Sequence, residues 1–132
     1  MCDLAVCFET GKGIKKNLRK ALLYYRRAAE HGDAGGAVEA GRCYYYGIGT
    51  KPNIEKSIHW YRVSAKKGDA EAQYCLGLAY ERGEGICRRL GTAKTWYNRA
   101  AAQNHHGAQK AVRDLARLEK KTRDRLSRPQ TK

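Results

Sequence analysis

With 132 residues, the chain has room for one domain with a substantial core. Lys plus Arg number 27 against 13 Asp plus Glu, a formal charge of +14 that favours acidic or phosphate-bearing partners and leaves the fold open. No stretch approaches ~18 consecutive apolar residues, so the sequence offers no candidate membrane-spanning helix.

Taken in order, the chain reads as pairs of helices. Ala5 and Phe8 lie on a first helix that stops at Gly11-Lys12-Gly13, because glycine takes the left-handed C′ conformation without a Cβ clash. Asn17 then caps a second helix whose apolar stripe is Leu18, Ala21, Leu22, Tyr25, Ala28 and Ala29. Ala37, Ala40, Gly41 and Tyr44 make the next first helix, ended by Gly47-Ile48-Gly49. Asn53 caps its partner, with Ile54, Ser57, Ile58, Tyr61, Ser64 and Ala65 as stripe and Gly68 as stop. A third pair follows, with Gly77 and Tyr80 on its first helix and Leu90, Ala93, Tyr97, Ala100 and Ala101 on its second. Here Arg89 stands where the capping asparagine stood, so this helix is expected to fray more or begin later.

These positions are related by a step of 36 residues: Gly41, Tyr44, Gly47, Trp60, Tyr61 and Ala65 return as Gly77, Tyr80, Gly83, Trp96, Tyr97 and Ala101. A fixed period of this length means stacked units that share one core. Small residues at Gly41, Gly77, Ala28, Ala65 and Ala100 let the helices approach while the large rings wedge between them. After the third pair, Ala111, Val112, Leu115 and Ala116 continue an apolar stripe, but Glu119 and Lys121 replace the glycines. The closing helix is therefore expected to run past Leu118 toward Leu126, stopping before Pro129 and a loose tail. It is polar and basic.

Leu76-Gly77-Leu78-Ala79-Tyr80-Glu81-Arg82-Gly83-Glu84-Gly85-Ile86, followed by Ala93, Trp96-Tyr97 and Ala100-Ala101, resembles the Sel-1-like repeat, a relative of the tetratricopeptide repeat. The resemblance covers residues 1 to about 108. It implies an all-α, right-handed α-solenoid of three helix-pair repeats (1–34, 35–70 and 71–106) with a basic capping helix and tail (107–132). Two departures stand out. Asn17, Asn53 and Arg89 occupy the usual acidic position, and Met1 aligns with Ala37, so the first unit lacks its opening turn, as expected of part of a longer array.

The resemblance also implies a non-catalytic adaptor or scaffold that holds another protein on the concave wall of first helices. Carried over residue by residue, that wall is Val6 and Glu9, then Val38, Arg42 and Tyr45, then Glu71, Tyr74, Leu78 and Glu81, then Lys110, Asp114 and Arg117. On this reading Tyr45, Tyr74 and Leu78 form an apolar floor, and Arg42 with Lys110 or Arg117 reads a carboxylate on an acidic or apolar-acidic segment. The plainer reading is that the same residues cover seams between repeats. Tyr46 is the weaker candidate, since Thr10 and Arg82 take its place elsewhere.

A different class of partner is nucleic acid or an anionic membrane surface. Lys20 with Lys56 and Arg26 with Arg62 are repeat-equivalent and would form rows of charge, joined by the closing helix. No nucleic-acid-binding motif accompanies them. An enzyme has still less support: His31, His59, His105 and His106 have no repeated carboxylate partner, and the glycine pairs end helices instead of opening them after a strand. No cofactor is implied. Cys75 and Cys87 lack two further ligands for a metal.

The five cysteines form an odd set without a CxxC, which predicts a reducing, cytoplasmic compartment. Cys7 and Cys43 fall on stacked helices about 8 to 10 Å apart, too far for a disulfide. In the cysteine-rich branch of the resembled family, disulfides join positions that here are Ala29 with Ala37 and Ala65 with Gln73.

Overall fold

The computed structural model describes residues 2–11 and 17–127; Gly13, the side chain of Cys2 and the tail from Pro129 lie outside them. Among the described residues seven helices follow one another: α1 (Cys2–Thr10), α2 (Leu18–Glu30), α3 (Ala34–Tyr46), α4 (Ile54–Lys66), α5 (Ala70–Arg82), α6 (Leu90–Ala102) and α7 (His106–Ser127). Each packs against its neighbours in sequence, giving an α-solenoid whose core is a chain of clusters and not a single centre. Ala21, Leu22, Tyr25, Ala40, Cys43 and Tyr44 join the first two units. Ile58, Tyr61, Ala65, Ala72, Leu76 and Ala79 join the next. Ala93, Tyr97 and Leu115 seat α7 against the third.

Local chemistry sets the helix boundaries. Asn17 Oδ1 accepts from the Lys20 amide at 3.1 Å, and Asn53 Oδ1 from the Lys56 amide at 3.0 Å. Asp33 and Asp69 cap α3 and α5 in the same manner. At the other end, Gly47 (φ 77°) and Gly83 (φ 72°) are left-handed C-caps.

One expectation is corrected here. Arg89 makes no side-chain cap, yet α6 begins at Leu90, the equivalent of Leu18 and Ile54, and not later. The backbone supplies the reason. The Arg89 N–H donates to the Tyr80 carbonyl at 2.9 Å, as those of Asn17 and Asn53 donate to Phe8 and Tyr44, both at 2.7 Å. This tie back to the preceding helix fixes the start whatever the side chain.

Close approach of the paired helices is visible at the small residues. A Cβ on Gly41 would sit 2.9 Å from Tyr61 Cδ1, and one on Gly77 2.6 Å from Tyr97 Cε1. Polar groups buried by this packing are paired: Ser57 Oγ donates to the Gly41 carbonyl and Ser64 Oγ to that of Ala34. Gln73 Nε2 donates to the Ala65 carbonyl at 3.1 Å. A hydrogen bond thus joins the two positions where the cysteine-rich branch has a disulfide. Cys7, Cys43, Cys75 and Cys87 are free thiols.

Candidate functional site

Residues of successive first helices, with a tyrosine of the second helix between them, line three recesses built from repeat-equivalent positions along one wall of the solenoid. The first is lined by Glu9, Tyr25, Glu39 and Arg42 among others. One step of 36 residues on, the second has Tyr45, Tyr61, Cys75 and Leu78 at those positions. The third has Glu81, Tyr97, Ala111 and Asp114. One buried tyrosine recurs in every recess; everything around it changes.

In the first recess the tyrosine is locked by charge. Tyr25 donates to Glu9 Oε2 at 2.8 Å, and Arg42 lies between Glu9, 2.8 Å away, and Glu39, 2.6 Å away. Burial opposes the charge on Arg42, but its hydrogen bonds to the two carboxylates outweigh burial and hold it protonated. In the third recess Tyr97 donates to Glu81 in the equivalent bond. Burial, then these carboxylates, push both tyrosine hydroxyls above their ordinary range.

The middle recess lacks that carboxylate. Tyr45 occupies the column of Glu9 and Glu81, and its hydroxyl turns away to donate to Glu84 Oε2 at 3.1 Å. Leu78 replaces the Arg42 of the first recess, and Cys75 replaces Glu39. Burial is the main cause that raises the Tyr61 hydroxyl, with Cys75 beside it. Burial likewise pushes the Cys75 thiol up to about 12, helped by Glu71. What remains is a cavity of about 140 Å³ with walls of Tyr45, Tyr46, Ile58, Tyr61, Cys75 and Leu78, and with Arg82 and Glu84 also in its lining. Tyr46 is 68% exposed, its ring 4.9 Å edge-on from that of Tyr45.

Of the residues expected on the wall, seven (Arg42, Tyr45, Tyr74, Leu78, Glu81, Lys110 and Arg117) were the candidates for contact with a partner, and the structure distributes them. Tyr45 and Leu78 share the middle recess. Tyr74, Leu78, Glu81 and Lys110 line the third, so Leu78 is the partition between the two. Arg42 lies in the first recess, where two of the chain's own carboxylates hold it. Arg42 is thereby ion-paired to one carboxylate on α1 and one on its own helix α3. Arg117 is exposed on α7 and lines none of these recesses.

Tyr61, Cys75, Arg82 and Glu84 were not among the expected residues, and Tyr46, the weaker candidate, lines the middle recess with them. The signal for them was the column itself, where Glu9 and Glu81 flank a tyrosine. Tyr74 packs 4.7 Å from the His105 ring, and His105 Nε2 lies 2.7 Å from Glu71. His105 also takes over the cap of α7, its Nδ1 accepting from the Ala108 amide at 3.0 Å.

Charge is sorted by helix. By sequence, α1, α3 and α5 carry five acids (Asp3, Glu9, Glu39, Glu71, Glu81) against Arg42 and Arg82. The second helices α2, α4 and α6 carry nine cations against Glu30 and Glu55. Several of those cations cover rings. Lys20 lies 5.5 Å from the Phe8 centroid, Lys56 5.5 Å from Tyr44 and Arg99 4.7 Å from Trp96. Among the described residues no group of three or more His, Cys, Asp or Glu is placed to hold a metal ion, and no helix is long and apolar enough to cross a membrane.

A family model described as the Sel1 repeat matches residues 1–33, 35–69 and 70–105. Among solved structures, a Sel1 repeat protein from Oxalobacter formigenes is 29% identical with a TM-score of 0.80, over 83% of this chain and 45% of that one. The protective antigen c5321 of uropathogenic Escherichia coli, which displays the same repeat fold, is 29% identical with a TM-score of 0.78, over 80% of this chain and 23% of that one. Helicobacter pylori cysteine rich protein B shares the fold at 20% identity and a TM-score of 0.73, over 83% and 85% of the two chains. The chain thus spans less than half the length of the first two. No curated protein matches it.

Proposed function

The chain belongs to the Sel1 repeat family, and from that premise we propose that it is a non-catalytic adaptor whose wall of first helices holds a segment of another protein. Sel1 repeats generally mediate protein–protein interaction. The observation that carries the reading here is the row of three recesses, each built from the same repeat positions but lined with different chemistry. A solenoid that needed these positions only to close its seams would have no use for the difference. Tyr45, Tyr74, Leu78, Glu81 and Lys110 are the residues assigned to contact, with Arg42 framing the first recess and Arg117 extending the wall along α7.

Affinity capture from native extract tests this, comparing the chain with a Tyr45→Ala, Tyr74→Ala double variant, with and without nuclease. A protein partner that survives nuclease and is lost with the variant, at an unchanged melting temperature, supports the adaptor. The second reading, electrostatic binding of nucleic acid or an anionic surface, draws on the nine cations of α2, α4 and α6. It predicts capture that nuclease or salt abolishes and the double variant leaves intact.

A further inference from the structure

Three of the six large apolar side chains exposed among the described residues, Leu90, Leu118 and Leu126, belong to one region, the start of α6 and the far half of α7. That clustering has a cause in the repeat. In the first two units, the turn after the next first helix covers the opening residue of the second helix. Gly49 lies against the Leu18 carbonyl, and a Cβ on Gly85 would sit 2.5 Å from Ile54 Cγ2. In the third unit the opening residue is Leu90, and the position of the glycine is taken by Lys121, inside α7. Because α7 runs straight on, no such turn folds back over Leu90. Leu18 and Ile54 are half-buried, whereas Leu90 is 38% exposed. An open groove of about 500 Å³ results, lined by Leu90, Leu118, Glu119, Thr122 and Arg123.

The groove continues the buried face of α7. By helical spacing, Leu118, Thr122 and Leu126 fall on the same side as Ala108, Ala111 and Leu115. Ala108 and Leu115 are buried; beyond Leu115 that side loses its cover. Lys121 and Arg125 border it on one edge and Arg123 on the other. None of these three cations has an acidic partner among the described residues. Glu119, the acid in the groove, is engaged, its Oε1 accepting from Lys94 Nζ at 2.6 Å. Asp124 falls on the opposite side of the helix. An apolar face is thus bordered by cations that the fold leaves unmatched.

Those two properties together decide the occupant. A second copy would set α7 against α7 and cation against cation. Nucleic acid would use the cations but leave the leucines in water, and no aromatic ring lines the groove for a base to stack on. An acidic amphipathic helix uses both. It also satisfies its own backbone hydrogen bonds, which matters because the groove offers no strand edge.

We propose that the groove between the start of α6 and the far half of α7 docks an acidic amphipathic helix of another protein. Its apolar side chains lie on Leu90, Leu118 and Leu126, and its carboxylates meet Lys121, Arg123 and Arg125. This surface shares no residue with the three recesses of the wall, and neither site needs the other. It moves the acidic partner expected for the wall to α7.

The test uses the full chain and three labelled helical peptides, followed by fluorescence anisotropy at physiological salt. The first has leucines at helical spacing on one face and glutamates elsewhere. The second has alanines in place of the leucines, and the third lysines in place of the glutamates. The first is expected to bind at least about tenfold tighter than either of the others. Leu118→Gln with Leu126→Gln should weaken it at least about tenfold at an unchanged melting temperature, since both side chains are more than half exposed. Should that variant melt early, Lys121→Glu with Arg125→Glu provides the second arm, with the same loss expected. Binding that ignores the leucine variant overturns the proposal in favour of charge alone. Failure of all three peptides at millimolar concentration also overturns it. Tighter binding to phosphatidylserine vesicles or duplex DNA than to the first peptide, lost with the same substitutions, overturns it in favour of those surfaces. Tyr45→Ala with Tyr74→Ala should leave the peptide bound; loss with that pair instead would place the site on the wall and overturn the proposal.

Discussion

Gly77 and Tyr97 are packed so closely that a Cβ on the glycine would lie 2.6 Å from the ring's Cε1 and 2.7 Å from Cδ1. The ring is fully buried and its hydroxyl is tied to Glu81, so it has no room to retreat. Gly77→Ala should therefore cost about 1 to 3 kcal/mol by overpacking, more than the helix propensity of alanine returns. Gly91 supplies the internal control. It lies inside α6 with nothing within 4 Å of its Cβ position, and Gly91→Ala should stabilise by roughly 0.5 to 1 kcal/mol. Denaturant melts of the two variants should move in opposite directions; a shift of the same sign in both would dismiss the packing account.

Arg89 offers a gain at a helix start. Its backbone already has the cap conformation, φ −143° and ψ 100°, almost the values of Asn53 at −146° and 100°. Only the side-chain acceptor is missing. Arg89→Asn should stabilise the chain by about 1 kcal/mol, read as a raised melting temperature, and slow amide exchange in the first turn of α6.

Much of this architecture could be read from single residues. The step of 36 marked Gly41 and Gly77 as positions of close helix approach and Tyr61 and Tyr97 among the large rings, because a helix pair leaves room for a ring only where the facing residue is small; which ring meets which glycine came from the structure. Arg89 was misjudged for a definite reason: the capping side chain is visible in a sequence, but the backbone bond to Tyr80 is not. The ion pairs of Arg42 were not legible for a similar reason. Its partners are Glu9, 33 residues away, and Glu39 on its own helix, and the approach of Glu9 depends on where the tertiary fold sets α1. The middle recess was partly legible, since Tyr45 interrupts a glutamate column, but the enclosure by Tyr61 and Cys75 emerges only from tertiary packing.

Tyr45→Glu separates the fold from the partner. It restores the residue that accepts from the buried tyrosine in the first and third units, as Glu9 does from Tyr25 and Glu81 from Tyr97. Tyr61 would regain the equivalent bond, so the melting temperature should hold or rise. The recess, however, would lose an apolar wall and gain a charge, and an apolar anchor should bind at least about tenfold more weakly. A large loss of stability would mean that Tyr45 serves packing and not a partner.

Alkaline pH probes the buried acids together. Burial pushes the Cys43 thiol up to about 11 and the Cys75 thiol up to about 12, from an ordinary 9.0. Burial also raises the hydroxyls of Tyr25, Tyr61 and Tyr97 from 10.0. In each case the folded chain keeps a proton that the unfolded chain releases, so unfolding sheds protons and stability falls as pH rises. The contribution is complete below about pH 9, where both states are protonated, and is lost as pH climbs from there through the raised values. Melting temperature should accordingly be level from pH 7 to 8.5 and decline steadily above it. Thiol alkylation at pH 8 supplies the local reading, because Cys87 is exposed and Cys43 fully buried. Cys87 should react first and Cys43 only as the chain unfolds. Early modification of Cys43 would mean that the seam between the first two units opens without global unfolding, and the alkaline decline should then begin there.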